Sequence, residues 1–360
     1  MTPAPTVGPG ARSAPGPAGL LLVVPVAVLL AIGAGGAESS VVVLAPLVTF
    51  GLPPLAMIAF WWEDWPGTRL RPSWSGWFDT AVIVVAAIVL TALGQVVVGE
   101  SDLRGIFDPT PGPGHSPTFP AAMPLAGAAF VAMLQVTLVS EGWPLRGHMA
   151  PLAAGAVALL AAWAIALAVY LVLVDFRAPP GSGLTSRSGS VPGAELGAVL
   201  VLIGAWQVWL FVAWRGWPVA ALRAQWARLV AGNVLVLGGA VLTFLVAHGP
   251  AGVLPARIAA VAGAFVAAGL LVGMLFEPAV SCPPAPARAR AVSLAAIAVL
   301  ATALFAGLTL IADGVRWRHL APDEWVSHAA LNAVGTAVIL HVAIGRRWPF
   351  GAAAVETPAE

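Results

Sequence analysis

The chain has 360 residues, of which 59% are hydrophobic and only 9% are charged, and its mean hydropathy is +0.92. A soluble domain carries roughly 25% charged residues, so the composition excludes an ordinary soluble domain and predicts a protein that lies in a lipid bilayer. The formal net charge of +1 gives no basic surface for nucleic acid, and the single Cys282 excludes an internal disulfide and a cysteine-cluster metal site.

Ten apolar stretches follow one another along the chain, each near the ~20 residues that cross a bilayer as a helix. We predict an all-α integral membrane protein with a disordered tail at 1–16, a polytopic helical bundle at 17–349 and a disordered tail at 350–360. The predicted spans are 17–36, 41–62, 79–99, 121–140, 151–175, 194–214, 228–248, 256–276, 291–312 and 327–345.

The first stretch shares some features with a cleaved signal peptide. Arg12 precedes its apolar run and Gly35-Gly36-Ala37 follows it. Cleavage would leave nine spans and would break the regular pairing of the others. We therefore interpret this stretch as the first span.

A Trp-Pro pair marks the end of nearly every second span. The prolines are 60 to 78 residues apart, which is the length of two spans with their loops. Tryptophan favours the membrane interface and proline ends a helix, so each pair predicts the exit of a helix from the bilayer. The repeat predicts five tandem helical hairpins whose Trp-Pro ends share one side. The marks are Trp65-Pro66, Trp143-Pro144, Trp217-Pro218, Trp348-Pro349 and the degenerate copy Phe276-Glu277-Pro278.

Arginine counts predict the orientation of the chain. All 17 basic residues are arginine, and 11 of them lie in the two tails and the Trp-Pro loops, against 6 in the opposite loops. Because basic residues collect on the cytoplasmic side, we predict a multi-pass protein of the cell membrane with both termini in the cytoplasm. The lipid bilayer is its first expected partner.

Polar side chains inside the spans are few, and five are candidates for substrate binding: Gln135, Gln207, His341, Asn332 and Asn233. The first three precede their tryptophans by 8, 10 and 7 residues, which is about 10–15 Å of helix. They predict a polar layer that binds a small molecule. The alternative is hydrogen bonding between helices, which fixes packing and contributes roughly 0.6–2 kcal/mol for each bond.

Two further features have a structural interpretation. His328 and His341 lie 13 residues apart, almost 20 Å along a helix, a spacing that can present axial ligands to two stacked haems. No second helix has matching histidines, so we expect no haem or other cofactor. Gly269 and Gly273 form a small-xxx-small pair that predicts close approach of another helix.

No aspartate, glutamate or arginine is expected deep within a span, which argues against a pump with acidic relays. The sequence predicts a permease-like protein that binds or transports a small neutral or apolar molecule. One alternative is a non-catalytic scaffold or subunit whose Trp-rich side docks a membrane or cytoplasmic protein. A membrane redox protein is the other alternative. No catalytic motif is present, so an enzyme is less expected.

Overall fold

The computed structural model describes residues 16–110, 118–276 and 286–346, together with Pro349. It confirms a mostly helical protein with eight helices long and apolar enough to cross a membrane, and two shorter apolar helices stand at Gly16–Ile32 and Met123–Val139. In chain order the ten helices are α1 (Gly16–Ile32), α2 (Ala37–Phe60), α3 (Ser73–Val98), α4 (Met123–Val139), α5 (Pro151–Leu173), α6 (Gly193–Ala213), α7 (Gln225–His248), α8 (Pro255–Leu275), α9 (Ala287–Asp313) and α10 (Pro322–Ile344).

Most helix boundaries lie within a few residues of those predicted, but α3 and α10 begin earlier. α3 starts at Ser73 rather than 79, and α10 starts at Pro322 rather than 327. Each helix has a proline at its start, Pro72 directly before Ser73 in α3 and Pro322 in α10, and proline fits the first helical turn because its missing N–H needs no partner there. The apolar stretch therefore marks the part of the helix in lipid and leaves out the polar first turns.

The even-numbered helices form an inner ring. α2 packs against α4, α4 against α6, α6 against α8, α8 against α10, and α10 returns to α2. Their side chains are correspondingly covered, since 78% of the apolar window of α2 is buried against 6% for α9. The ring is thus the core of the molecule.

The odd-numbered helices lie outside this ring, each on the even helix before it. α3 packs on α2, α5 on α4, α7 on α6 and α9 on α8, while α1 takes the corresponding place on α10. We expected hairpins that join spans 1–2, 3–4 and onward, but from α2 to α9 the extensive contacts pair helices across the Trp-Pro turns. The three described Trp-Pro turns leave 11 or 12 residues between their helices, and loop length alone does not decide the pairing, since only six residues separate α7 from α8.

Small residues allow the close packing of the two layers. α5 buries one residue in four along a single stripe, which is made of Ala154, Ala158, Ala162, Ala166 and Tyr170. The predicted glycine pair of α8 also lies at a helix contact. A Cβ on Gly269 would collide with Val208 of α6, and one on Gly273 would lie 2.9 Å from Val212 Cγ1. Helix backbones approach closely where such residues meet.

Three Trp-Pro turns share one backbone geometry. Before each tryptophan stand two residues with positive φ, as in Glu141 (54°) and Gly142 (74°), and each Trp-Pro bond is cis. A hydrogen bond of length 2.7–3.0 Å joins the second of these residues to the carbonyl six residues earlier in all three turns. The turns are at Trp65-Pro66, Trp143-Pro144 and Trp217-Pro218. Trp348 and Glu277-Pro278 of the other marks lie outside the described residues.

The opposite side of the molecule is closed by loops and a small sheet. Strand β1 (Val174–Phe176) pairs antiparallel with β2 (Arg187–Ser188) and parallel with β3 (Val191–Pro192). Glu38, at the start of α2, accepts backbone N–H groups of Arg318, His319 and Leu320 in the loop before α10. These contacts join loops that are distant in sequence.

Candidate functional site

Three of the predicted polar residues form a chain of amide hydrogen bonds across α4, α6 and α7. Gln207 Nε2 donates to Gln135 Oε1 at 2.7 Å, and Gln135 Nε2 donates to Asn233 Oδ1 at 2.9 Å. Asn233 Nδ2 donates in turn to the Leu229 carbonyl at 2.8 Å. All donors therefore point in one direction along the amide chain.

The amide chain ends in an acceptor without a partner. Gln207 is fully buried, and its Nε2 also donates to the Val131 carbonyl at 3.1 Å. Its Oε1 is buried and has no hydrogen-bond partner among the described residues. A buried polar atom left unpaired costs about 1–3 kcal/mol, so this oxygen favours a ligand that brings an O–H or N–H donor.

Local backbone geometry positions these amides. α4 changes to a π-helical turn at Gln135–Val139, and α6 does so at Val208–Ala213, directly after Gln207. A π turn inserts an extra residue into the helix, redirects side chains and occurs frequently at functional sites. In the same part of α4, Thr137 accepts the indole N–H of Trp61 at 2.8 Å, which ties the site to α2.

Asn332 belongs to a different polar cluster, between α10, α2 and α1. Thr49 Oγ1 donates to the Ala45 carbonyl at 2.7 Å and lies 3.5 Å from Asn332 Oδ1, while Asn332 Nδ2 lies 3.4 Å from His328 Nδ1. The other ring nitrogen of His328 lies 3.0 Å from the Leu30 carbonyl. Both nitrogens of His328 therefore contact protein atoms, and an axial haem bond would have to displace one of these contacts.

His341 is separate from the amide chain. It is buried on a π turn at Leu340–Ile344, near the end of α10. The side-chain hydrogen bonds of Gln135 and Gln207 go to each other, to Asn233 and to Val131. The structure thus brings together two members of the predicted three-residue layer and adds Asn233, whose depth in the repeat gave no such signal.

Sequence reasoning missed Asp79. The expected span began at this residue, which was not singled out from the sequence. Because α3 begins at Ser73, Asp79 lies inside the helix and is fully buried. Its Oδ1 accepts the Gly67 N–H at 2.9 Å, and its Oδ2 is buried without a partner among the described residues. Asp79 is thus a buried carboxylate near the start of α3, which the expectation of no acidic group deep within a span did not cover.

A second carboxylate lies close to Asp79. Asp64, in the first Trp-Pro turn, accepts Arg346 Nε at 2.8 Å and so joins this turn to the end of α10. Burial raises the pKa of Asp64, Arg346 opposes this rise, and the negative charge of Asp79 adds to it. The two carboxylates and the guanidinium form one electrostatic group.

Comparisons with known proteins find no relative. No family model matches the chain, and no curated protein and no solved structure matches it. Fold and composition define the class: a multi-pass helical membrane protein, with eight helices long and apolar enough to cross a bilayer.

Proposed function

We propose that the protein is a permease-like membrane protein that binds and passes a small neutral molecule through the site at Gln207. The observation that carries this proposal is the buried, unpartnered Gln207 Oε1 at the end of the amide chain. Gln135 and Asn233 hold the Gln207 amide in one orientation, so the acceptor needs no rearrangement before it meets a donor.

The chemistry of the site favours an uncharged ligand with a hydrogen-bond donor. The amide chain has no net charge, and apolar side chains such as Val208 and Leu210 are buried beside it on α6. A charged ligand would lose its hydration without a counter-ion from these residues. A small alcohol or amide instead offers one O–H or N–H to Gln207 Oε1 and apolar atoms to the surroundings.

The proposal also includes ten membrane spans in a cyclic internal repeat of the cell membrane, with the Trp-Pro side in the cytoplasm. Two observations support it. Five even helices end with the same bond from an N–H to the carbonyl five residues earlier, 2.6–3.1 Å long. The packing order of inner and outer helices also recurs around the ring. Reporter fusions in the loops test the orientation.

Solute permeability of proteoliposomes tests the function. Vesicles containing the full chain are mixed with glycerol, urea or acetamide, and swelling is followed by light scattering. We expect faster entry of at least one solute than in empty vesicles. Gln207→Leu should reduce that rate up to about tenfold, because one hydrogen bond contributes about 0.5–1.5 kcal/mol.

Gln95→Leu is the matched control. Gln95 is also a buried glutamine, but it lies near the C-terminal end of α3. Its Nε2 donates to Thr118 Oγ1 at 3.0 Å and to the Asp102 carbonyl at 2.8 Å. It makes no contact with the amide chain. Equal rates in Gln207→Leu and the unaltered protein would contradict the proposed site.

A non-catalytic scaffold or subunit is the second candidate, and α9 supports it. Only 6% of its apolar window is buried, and Val299 and Leu310 are 72% and 74% exposed. Such a face fits lipid or the helix of a partner protein. Purification from native membranes in mild detergent distinguishes the two, because a subunit should co-purify with a stoichiometric partner. A chain that purifies alone would count against this candidate.

A further inference from the structure

A small buried polar site lies beneath the first Trp-Pro turn, away from the Gln207 site. Among the described residues, Ser75 Oγ and Asp79 Oδ2 of α3 are buried without a hydrogen-bond partner, as is Trp65 Nε1 in the turn before α3. Ser75 and Asp79 are one helical turn apart on α3, so their side chains share a face. Both are almost completely buried, at 1% and 0% exposure.

The surrounding packing keeps this site closed. Gly67 approaches so closely that a Cβ would collide with the Asp79 carboxylate. On the same helix, a Cβ at Gly76 would lie 2.9 Å from Gly345 Cα and 3.1 Å from the Ile344 carbonyl. The first turn, the start of α3 and the end of α10 therefore pack tightly around the carboxyl group.

An ionised Asp79 has no ion-pair partner of its own among the described residues. The described parts of the elements packed on this end of α3 carry six titratable or charged groups, of which Arg71 is exposed: Glu63, Asp64, Arg69, Arg71, His341 and Arg346. Arg346 pairs with Asp64, Arg69 lies over the Trp65 ring at 5.8 Å, and Glu63 is exposed. Asp79 is repelled by Asp64 and attracted by the single Arg346. An ionised Asp79 thus leaves one buried negative charge without its own partner, which is costly.

We propose that this site binds a proton, which Asp79 carries on its carboxyl group. A neutral carboxyl group needs no counter-ion, and its O–H brings a donor to a helix face that also carries the Ser75 hydroxyl, which can accept a hydrogen bond. A hard metal ion needs several oxygen ligands, and the site offers one carboxylate and one hydroxyl. The proposal concerns a separate site and stands independently of the proposed transport function.

Infrared spectroscopy of the purified full chain tests the proposal. A protonated carboxyl has a C=O stretch that an ionised carboxylate lacks. We expect this band at neutral pH in the unaltered protein and its loss in Asp79→Asn, in which the amide can still accept the Gly67 N–H. Asp313→Asn is the control, because Asp313 is exposed at the end of α9 and its loss should leave the band unchanged.

Two results would overturn the proposal. One is an unchanged carboxyl band in Asp79→Asn, which means that Asp79 is ionised. The other is a band that appears only when sodium is replaced by choline, which means that a metal cation occupies the site. If Asp79→Asn does not fold, Ser75→Ala tests the proposal instead. The carboxyl band should then persist but shift in frequency, because the neighbouring hydroxyl is lost. An unshifted band in Ser75→Ala would also contradict the site.

Discussion

The inner ring of even-numbered helices and the outer layer of odd-numbered helices are built from similar lengths of apolar sequence, yet they differ in what else they carry. Four of the five predicted polar residues, Gln135, Gln207, Asn332 and His341, lie on even helices. The inner helix α2 buries three prolines, Pro46, Pro53 and Pro54, whereas Pro25 inside the outer helix α1 is exposed. Outer helices instead expose large apolar residues such as Leu160 and Val299.

The difference shows that hydropathy and ring position are separate properties of a span. Apolar length is enough to place a helix in lipid, and helices of both layers are among the eight that are long and apolar enough to cross a membrane. A helix of the inner ring also needs hydrogen-bond partners and small residues. It is surrounded by protein, so it must satisfy its polar groups and allow close backbone contact. Matched substitutions in the inner ring and the outer layer therefore test whether the two layers differ in this way.

The largest effect is expected from bulk added to the inner ring. Gly269→Leu places a side chain where even a Cβ collides with Val208, so we expect a loss of about 3 kcal/mol in unfolding free energy from overpacking. Gly307→Leu on α9 meets no atom within 4 Å of its Cβ and should be neutral or slightly stabilising. Thermal unfolding in detergent measures both, and equal losses would show that the two layers are packed alike.

Breaking the ion pair that links α10 to the first turn should have the next largest effect. Arg346→Met leaves the partly buried Asp64 without its charged partner, at an expected cost of about 2 kcal/mol. Arg104→Met is the control, because its pair with Asp108 lies in an exposed loop and such pairs contribute at most about 1 kcal/mol. Denaturant unfolding measures the free energy of unfolding of both variants. A larger loss in Arg104→Met would contradict a stabilising role of the Arg346–Asp64 pair between α10 and the first turn.

A smaller effect is expected from pH. Burial raises the pKa of Asp64, so the folded protein binds this proton more tightly than the unfolded chain. The contribution of Asp64 to stability is then full below its ordinary pKa of about 3.9 and decreases as pH rises through the raised value. Asp64→Asn should flatten the stability profile in this window. A profile of unchanged slope would show that Asp64 is not the responsible group.

The smallest effect on stability is expected from the loss of a threonine hydroxyl, compared between an inner and an outer helix. Thr49→Val on α2 removes a buried hydroxyl that lies 3.5 Å from Asn332 Oδ1 and should cost about 0.6 kcal/mol. Thr302→Val on α9 removes only a bond to the Ala298 carbonyl on its own exposed surface, so no measurable change is expected. Indistinguishable melting temperatures for the two variants would mean that the Thr49–Asn332 contact contributes nothing.

The sequence predicted the class of fold well, because apolar length and Trp-Pro spacing are local properties. It also predicted the contact at Gly269 and Gly273, since small residues have few other reasons to recur at that spacing. The layering of the helices could not be predicted, as it depends on contacts between distant segments. Asp79 was missed because hydropathy starts a span at its apolar part, and here the helix starts six residues earlier.

The predicted layer of polar residues was likewise found only in part, because the sequence gives the depth of a residue and not the direction of its side chain. Depth along a helix can be read from residue numbers, and it placed Gln135 and Gln207 at comparable levels. The direction of a side chain cannot be read from residue numbers in this way. A π turn begins at Gln135 and another directly after Gln207, and each shifts the side chains of its helix away from the regular α-helical positions. Asn233 completes the amide chain from an outer helix, and His341 lies outside it.

The contact between α1 and α10 has a consequence for biogenesis. α1 is synthesised before α10, the helix on which it packs. In the folded protein α1 also contacts α2 and the end of α8, which are both made earlier than α10. The place of α1 on α10 is therefore filled late in synthesis, as is the contact of α10 with α2 that closes the inner ring.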